Sequence, residues 1–507
     1  MVGCLRYGVG YEKLQERDDH VRSHSRPFKC PEHGCFYGEV GFANNRSLSQ
    51  HISLCHTDLA SPKSIFPALS NARLPTADER RKFRHAIQCR SVDRVQDLIN
   101  SNSFLLDRVT QNGYTALQYA AIHGTVDCAQ RFLHCGSSIG AVNKFGTALH
   151  VACSSRQTRM VKFLLLNSTC AEDVNAKDKQ GNTPLSEVLA SWCMFDSNAR
   201  MEIFRLLLGD SRVFANTRNY SGRTPLSFAA VLDHSMPVPI VEMLLRHDTG
   251  IEIDTRDNEG RTPLSWAASA GITEVVKVFL QHSSDVNAKD ARGRTPLSWA
   301  AGRQDAFHPE AISVVRTLLE HDGIDVDARD NEGRTPLSWA ASSGASGVVA
   351  VFLQHGRWLD VNAKDAGGRT PLSWAATREF KEQPPSAQAQ TRAQTQAQVR
   401  LQAHAQARAR ARAELEEVPV VKVLLKHDGI DVESRDDEGR TPLSWAASGG
   451  SFAVVDAFLG HGVGIDVNAK DNRGRTPLEW AAAREKPLEI APVVQALVGR
   501  GGVGGTL

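Results

Sequence analysis

Gly260-Arg261-Thr262-Pro263-Leu264-Ser265-Trp266-Ala267-Ala268 decides the fold, because the chain repeats it. It returns at Gly293–Ala301, Gly333–Ala341, Gly368–Ala376 and Gly439–Ala447, and Gly474–Ala482 differs by carrying Glu479 in the serine place. Most steps are about 33 to 40 residues, a period that signals stacked repeats. Each part has a physical reading. Glycine suits a turn with positive φ. Thr262 can cap a helix that starts at Pro263, whose fixed φ suits the first helical position. Ala267 and Ala268 are small enough for a second helix to approach. That helix is expected in the apolar run Val275-Val276-Lys277-Val278-Phe279-Leu280.

Taken together these features resemble the ankyrin repeat. The resemblance implies a mainly α solenoid of turn, two antiparallel helices and outward hairpin, in about eleven units with the cap. Ser265, Ser298, Ser338, Ser373 and Ser444 stand where the family usually has histidine. The Arg-Thr-Pro-Leu-Ser-Trp-Ala-Ala wording is similar to ankyrin arrays of large fungal proteins. Weaker copies open at Gly113, Gly146, Gly181 and Gly222, and His150 alone keeps the family histidine. Its expected role is a hydrogen bond within the turn. Enlarged connections are expected near Trp192–Ala199 and Val231–Pro239, and a fraying end at Gly499–Gly505.

Upstream, Arg80–Gln88 and Val92–Asn100 look like a capping pair with Val95, Leu98 and Ile99 inward. Arg80-Arg81-Lys82-Phe83-Arg84 reads as that helix's exposed face, or as a nuclear import signal. The array is thus placed at residues 78–507. Residues 379–417, rich in Ala, Gln and Arg, interrupt one unit between its helices. They read as a solvated insertion, either low-complexity drift or a contact for RNA or acidic partners.

Before the array lies Cys30-x4-Cys35-x15-His51-x4-His56, with Phe42 and Leu48 between the ligand pairs. Two thiolates and two imidazoles at such spacing suit one tetrahedral Zn2+, which can supply most of the folding energy of so small a unit. The pattern resembles a two-cysteine two-histidine zinc finger, a ββα unit over residues 25–57. Its x4 cysteine gap and three extra residues before Phe42 depart from the family. The resemblance points to Asn44, Arg46, Ser47 and Gln50 as DNA-contact candidates; a structural or protein-contact role is the alternative. Residues 1–24 repeat the Cys-x15-His spacing at Cys4 and His20. They read as a finger truncated upstream of Met1, or as a polar helix with chance histidines. Residues 58–77 carry three prolines and read as a linker.

The 507 residues are 41% hydrophobic with a net charge of +2, which gives no general push toward nucleic acid or anionic membrane. No apolar run approaches a membrane span. All ten cysteines lie between Cys4 and Cys193, without an even framework of spacings beyond the zinc-like motif. Reduced thiols in an intracellular protein, of cytoplasm or nucleus, are expected.

Two ladders run along the array. Trp266, Trp299, Trp339, Trp374, Trp445 and Trp480 read as core packing or as a ligand-facing aromatic stripe. Arg261, Arg294, Arg334, Arg369, Arg440 and Arg475, with Arg223, read as local ion pairs or as forks for acidic peptides. No phosphate loop, nucleophile elbow or zinc-protease helix is present. The expected function is therefore a non-enzymatic scaffold binding another protein on the concave face of the array, with no small-molecule substrate. The rivals are a DNA-binding regulator led by the finger and a sensor fragment of a larger receptor.

Overall fold

The computed structural model describes residues 75–102, 105–106, 113–168, 170–192, 197–232, 237–247, 250–282, 284–303, 309–355, 359–377, 420–461, 464–483 and 487–501. The chain divides into two compact units, Met1–Gln111 and Asn112–Leu507.

In the first unit, helices Ala77–Gln88 and Val92–Ser101 form a pair. Thr76 accepts from the Glu79 N–H and Glu79 reaches back to the Thr76 N–H, so two orphan donors are satisfied reciprocally. Phe83, Ile87, Val95 and Ile99 are buried. Leu98, expected inward, is half-exposed beside Arg94 and Asp97. Val95 and Ile99, one turn apart, fix the buried stripe and leave Leu98 to one side. Arg81 and Lys82 are exposed and pair with Asp78 at 2.6 and 2.8 Å.

In the second unit, first helices run Ala116–His123, Ala148–Ser154, Pro184–Ala190, Pro225–Ala229, Pro263–Ala270, Pro296–Ala301, Pro336–Ser343, Pro371–Ala376, Pro442–Gly449 and Pro477–Ala482. Their second helices are Val126–His134, Thr158–Asn167, Ser197–Leu208, Pro237–Leu245, Thr273–Gln281, Pro309–Leu319, Ser346–His355, a segment at 420–425, Phe452–His461 and Pro487–Gly501. A short helix, Ala171–Val174, adds to one connection. Among the described residues there is no strand, only an isolated bridge between Asn143 and Gly146. None of their helices is long and apolar enough to cross a membrane.

The repeated nonapeptide folds for the reasons its residues suggest. Thr262 is the N-cap, in extended backbone, and accepts from the Ser265 N–H, with Pro263 first in the helix. Gly260 has φ +78°, and a Cβ there would lie 2.7 Å from the backbone nitrogen of Ala291 in the next turn. Glycine is thus required twice, by its own backbone and by its neighbour's. Ala267, Ala268, Val275, Val276 and Phe279 are buried, as are their counterparts Ala340, Ala341, Val348, Val349 and Phe352. First helices contact first helices of the adjoining repeats, and second helices contact second helices. Each repeat thus buries its neighbour's apolar face, at roughly 1.5–3 kcal/mol for a fully buried Val or Phe.

Register continues from one side of residues 378–419 to the other. The Asp437 N–H donates to the Gly367 carbonyl at 3.2 Å, and the Asn362 side chain donates to the Gly429 carbonyl at 2.7 Å. Elsewhere the expected irregularities shrink. Helix begins at Ser197 within the first enlarged connection and at Pro237 within the second. Prolines 237 and 239 sit in a first helical turn, where no amide donor is needed. The last helix runs on through Gly499 to Gly501, held by buried Val493 and Leu497, so the fraying placed at Gly499 does not begin there.

Candidate functional site

The ladder residues meet through the turn that precedes each first helix. Asp257 Oδ1 accepts from the N–H groups of Glu259 and Arg261, both at 2.9 Å, and so fixes the turn. Four residues past the cap, Trp266 lies on the half-buried side of its helix. Its indole N–H reaches back to Asp257 Oδ2 at 3.0 Å. The same bond joins Trp299 to Asp290, Trp339 to Asp330, Trp374 to Asp365, Trp445 to Asp436 and Trp480 to Asp471, at 2.9–3.2 Å.

Each turn arginine then lies over the tryptophan of its own repeat and over that of the next. Arg261 is 4.5 Å from the Trp266 ring centre and 4.0 Å from that of Trp299. Arg334 is 4.4 and 4.6 Å from Trp339 and Trp374. Arg294 is 3.6 Å from Trp299 and 5.6 Å from Trp339. Arg369 and Arg440 follow the uneven pattern, at 3.7 Å from their own tryptophans and 5.4 and 5.5 Å from Trp445 and Trp480. Arg475 ends the column, 3.7 Å from Trp480. Arg223 begins it, between Phe228 and Trp266.

A glutamate two before the arginine accompanies the midway pose at Arg261 and Arg334, though not at Arg440. Glu259 and Glu332 draw Arg261 and Arg334 into ion pairs, and those guanidiniums sit midway between rings. With Arg292 or Arg473 at that place, Arg294 and Arg475 turn their Nε to the buried Asp290 and Asp471, at 3.2 and 3.0 Å. Arg440 touches both Asp436 and Glu438. Arg223 has no aspartate in its turn and donates to the Ser227 carbonyl at 2.8 Å. Burial pushes its guanidinium down to about 10, against the pull of Asp257. Burial also lowers Arg294 and Arg334. Cation–π contacts of this kind contribute about 0.5–2 kcal/mol each, the larger values when desolvated.

So the proposed partner-binding residues are brought together, but against one another. The tryptophans receive guanidiniums from their own chain, and the arginines have carboxylates of their own turns. Local ion pairing is present in every turn from Arg261 onward. The zinc candidates Cys30, Cys35, His51 and His56 and the DNA-contact candidates Asn44, Arg46, Ser47 and Gln50 lie outside the described residues. Within the described residues no group of His, Cys, Asp and Glu is arranged for a metal ion, and no disulfide is formed.

Sequence reasoning missed how the first repeats are joined. The Thr147 N–H donates to His150 Nδ1, as expected within a turn, but Nε2 donates onward to the Asn182 carbonyl at 2.9 Å. Gln118 does the same to the Gly146 carbonyl at 2.8 Å. Serine is too short for this reach, and its hydroxyl stays with the capping threonine. The arginine column takes over from the Ser227 repeat onward, whereas the Ser186 repeat has Asn182 and Glu187 in the arginine and aromatic places. Around these first repeats, Tyr114 stacks on Phe145 at 4.1 Å above an open cavity of about 470 Å³ that Val151, Asp178 and Glu187 also line. Burial, and then Asp178, push the Glu187 carboxyl up to about 7. The signal was available: Glu187 stands four residues past its cap, in the tryptophan place.

A family model described as ankyrin repeats, three copies, matches residues 83–178, 124–196, 236–330, 306–382 and 411–502. Inversin of Gallus gallus is 36% identical over 89 residues, which make up 17% of this chain and 8% of that protein.

Proposed function

This chain belongs to the ankyrin-repeat family, and we propose that it is a non-enzymatic scaffold inside the cell that docks another protein on the concave face of its stack. The observation that carries this reading is the column itself. It ties repeat to repeat through buried turn aspartates and shared guanidiniums, so a surface of first helices and hairpin tips exists before any partner arrives. A preformed surface lowers the ordering cost of association. The half-buried arginine edges and the variable tips are the groups left to meet a partner. The N-terminal segment serves as a separate zinc-binding module. Its donor set, two thiolates and two imidazoles from Cys30, Cys35, His51 and His56, fits one Zn2+ chemically, and the metal would supply folding energy there.

The test is affinity capture with the full-length chain, followed by hydrogen exchange on the complex. A retained protein that protects first helices and hairpin tips, with or without a zinc chelator, is the expected result. Retention of duplex DNA alone, weakening with salt, would favour the finger-led reading instead.

A further inference from the structure

We propose that the early repeats of the second unit form a receptor for an arginine side chain of the partner protein, in the cavity between Val151 and Glu187. This deepens the scaffold reading and rests on it.

The argument is a comparison of equivalent places. From Arg223 to Arg440, each turn arginine fills the space between the residue four past its own cap and the same residue of the next repeat, within 5.6 Å of both rings. In the preceding repeats the arginine places hold Tyr114, Gly146 and Asn182, and the aromatic places hold Tyr119, Val151 and Glu187. Gly146 has no side chain to send between Val151 and Glu187. The cavity of about 470 Å³ lies there.

Its lining, which also includes Lys144 and Lys179, keeps the turn aspartate that later repeats use on their own arginines and adds a second carboxyl, Glu187, in the tryptophan place. Asp178 is the turn aspartate, and its Oδ1 accepts from the Gln180 and Asn182 N–H groups at 2.8 and 2.9 Å. Its Oδ2, which elsewhere takes the tryptophan N–H, meets no donor among the described residues, since Glu187 has none to offer. The Glu187 carboxylate likewise has no hydrogen-bond partner among the described residues. Arg200 donates to the Ser191 hydroxyl at 2.9 Å and acts on Glu187 only through its charge. Lys144 lies over the Phe145 ring, and Lys179 is exposed. Two carboxyls beside a stacked aromatic pair suit a planar guanidinium, which can bond bidentately and stack at once, better than an ammonium. The raised Glu187 carboxyl agrees, because burial, and then the Asp178 charge, outweigh the opposing charge of Arg200.

The test uses the full chain and a fluorescent Gly-Ser-Gly-Arg-Gly-Ser-Gly peptide, with its citrulline twin, in a polarisation titration. The arginine peptide should bind at least about tenfold more tightly than the twin, and Glu187→Gln should remove that preference. Glu187→Trp installs the later repeats' residue, which can donate to Asp178, and should abolish binding without lowering the melting temperature. Glu202→Gln, on an exposed second-helix position, should change nothing. Equal binding of the two peptides, no measurable binding of either, or an unaltered preference in the Glu187→Gln variant would overturn the proposal. A captured partner held undiminished by both Glu187 variants would end it while leaving the scaffold reading intact. Failure to capture any protein would end the scaffold reading, whereas the peptide preference is read independently.

Discussion

Trp299 donates its indole N–H to Asp290 Oδ2 at 3.1 Å, nine residues back along the chain. The same oxygen accepts from Arg294 Nε, and Oδ1 accepts from two backbone N–H groups of the turn. One carboxylate, 7% exposed, therefore holds a turn, a ring and a guanidinium. Removing it strands several part-buried donors. Asp290→Ala is expected to cost about 2–4 kcal/mol in urea unfolding. Glu332 is an exposed partner of Arg334, so Glu332→Gln should cost less than about 1 kcal/mol. Similar costs for the two variants would mean that the aspartate is not the hub.

Much of this was legible because the repeated nonapeptide is locally determined. Gly260, Thr262 and Pro263 each declare a backbone state that one turn of chain enforces. The contacts between repeats were less legible, since they depend on spacing set by packing. That Trp266 bonds Asp257 was open to inference from the constant nine-residue interval. That Arg261 reaches Trp299 was not, because sequence alone does not say which neighbour's ring comes within reach. The early repeats misled for a related reason. The repeat opening at Gly181 reads as a degenerate copy, although the tryptophan it lacks at Glu187 leaves both a space and an acceptor without its donor.

Hairpin residues alternate between amide and acid, and the difference has consequences for pH. Asn287 donates to the Gly323 carbonyl at 2.7 Å and accepts from the Asp325 N–H at 2.9 Å. Asp327 accepts from the Asp360 N–H at 2.8 Å, while its buried Oδ1 has no hydrogen-bond partner among the described residues. Burial, with Asp360 and Asp325 nearby, raises its carboxyl although the Asp360 N–H and Arg329 oppose the shift. A carboxyl raised in the folded state favours folding when protonated. That contribution is fully present below the ordinary value of about 4 and is lost as pH rises through the folded-state value. Asp327→Asn should remove this slope and gain about 0.5–1.5 kcal/mol at neutral pH, read from urea midpoints across pH. A neutral-pH loss would show that the amide finds no acceptor.

His150 gives the opposite sign. Burial lowers its folded-state pKa, although its bond to Asn182 and the charge of Asp178 act the other way. Stability should therefore be full above about 6.5 and fall as pH drops from there through the lowered value, because the unfolded chain takes the proton first. Gln118 shows that glutamine can make the same pair of bonds, to the cap and to the next turn. His150→Gln should hold its neutral-pH melting temperature and flatten the profile between pH 7 and 5. His150→Ser, which cannot reach Asn182, should lose about 1–3 kcal/mol at neutral pH, a deficit that narrows toward pH 5 as the wild type loses stability. An acid profile that His150→Gln leaves unchanged would assign the sensitivity to another group.

Deleting 379–417 tests whether register depends on the inserted segment. Arg369 already stacks on Trp445 at 5.4 Å, Lys364 donates to the Arg435 carbonyl at 2.8 Å, and Asn362 bonds both Gly429 and Asp431. These contacts match those between uninterrupted repeats, such as Lys289 with Arg329 and Asn287 with Gly323. They need nothing from the intervening chain except a connection from Thr377 to Val420. Closing a shorter connection costs less entropy, by about 0.6 kcal/mol per halving of loop length for flexible chain. The melting temperature of the deletion variant should therefore stay level or rise slightly, with partner capture retained. A fall of many degrees would mean that the segment packs on the stack and belongs to its core. Unchanged stability with lost capture would instead make it part of the docking surface.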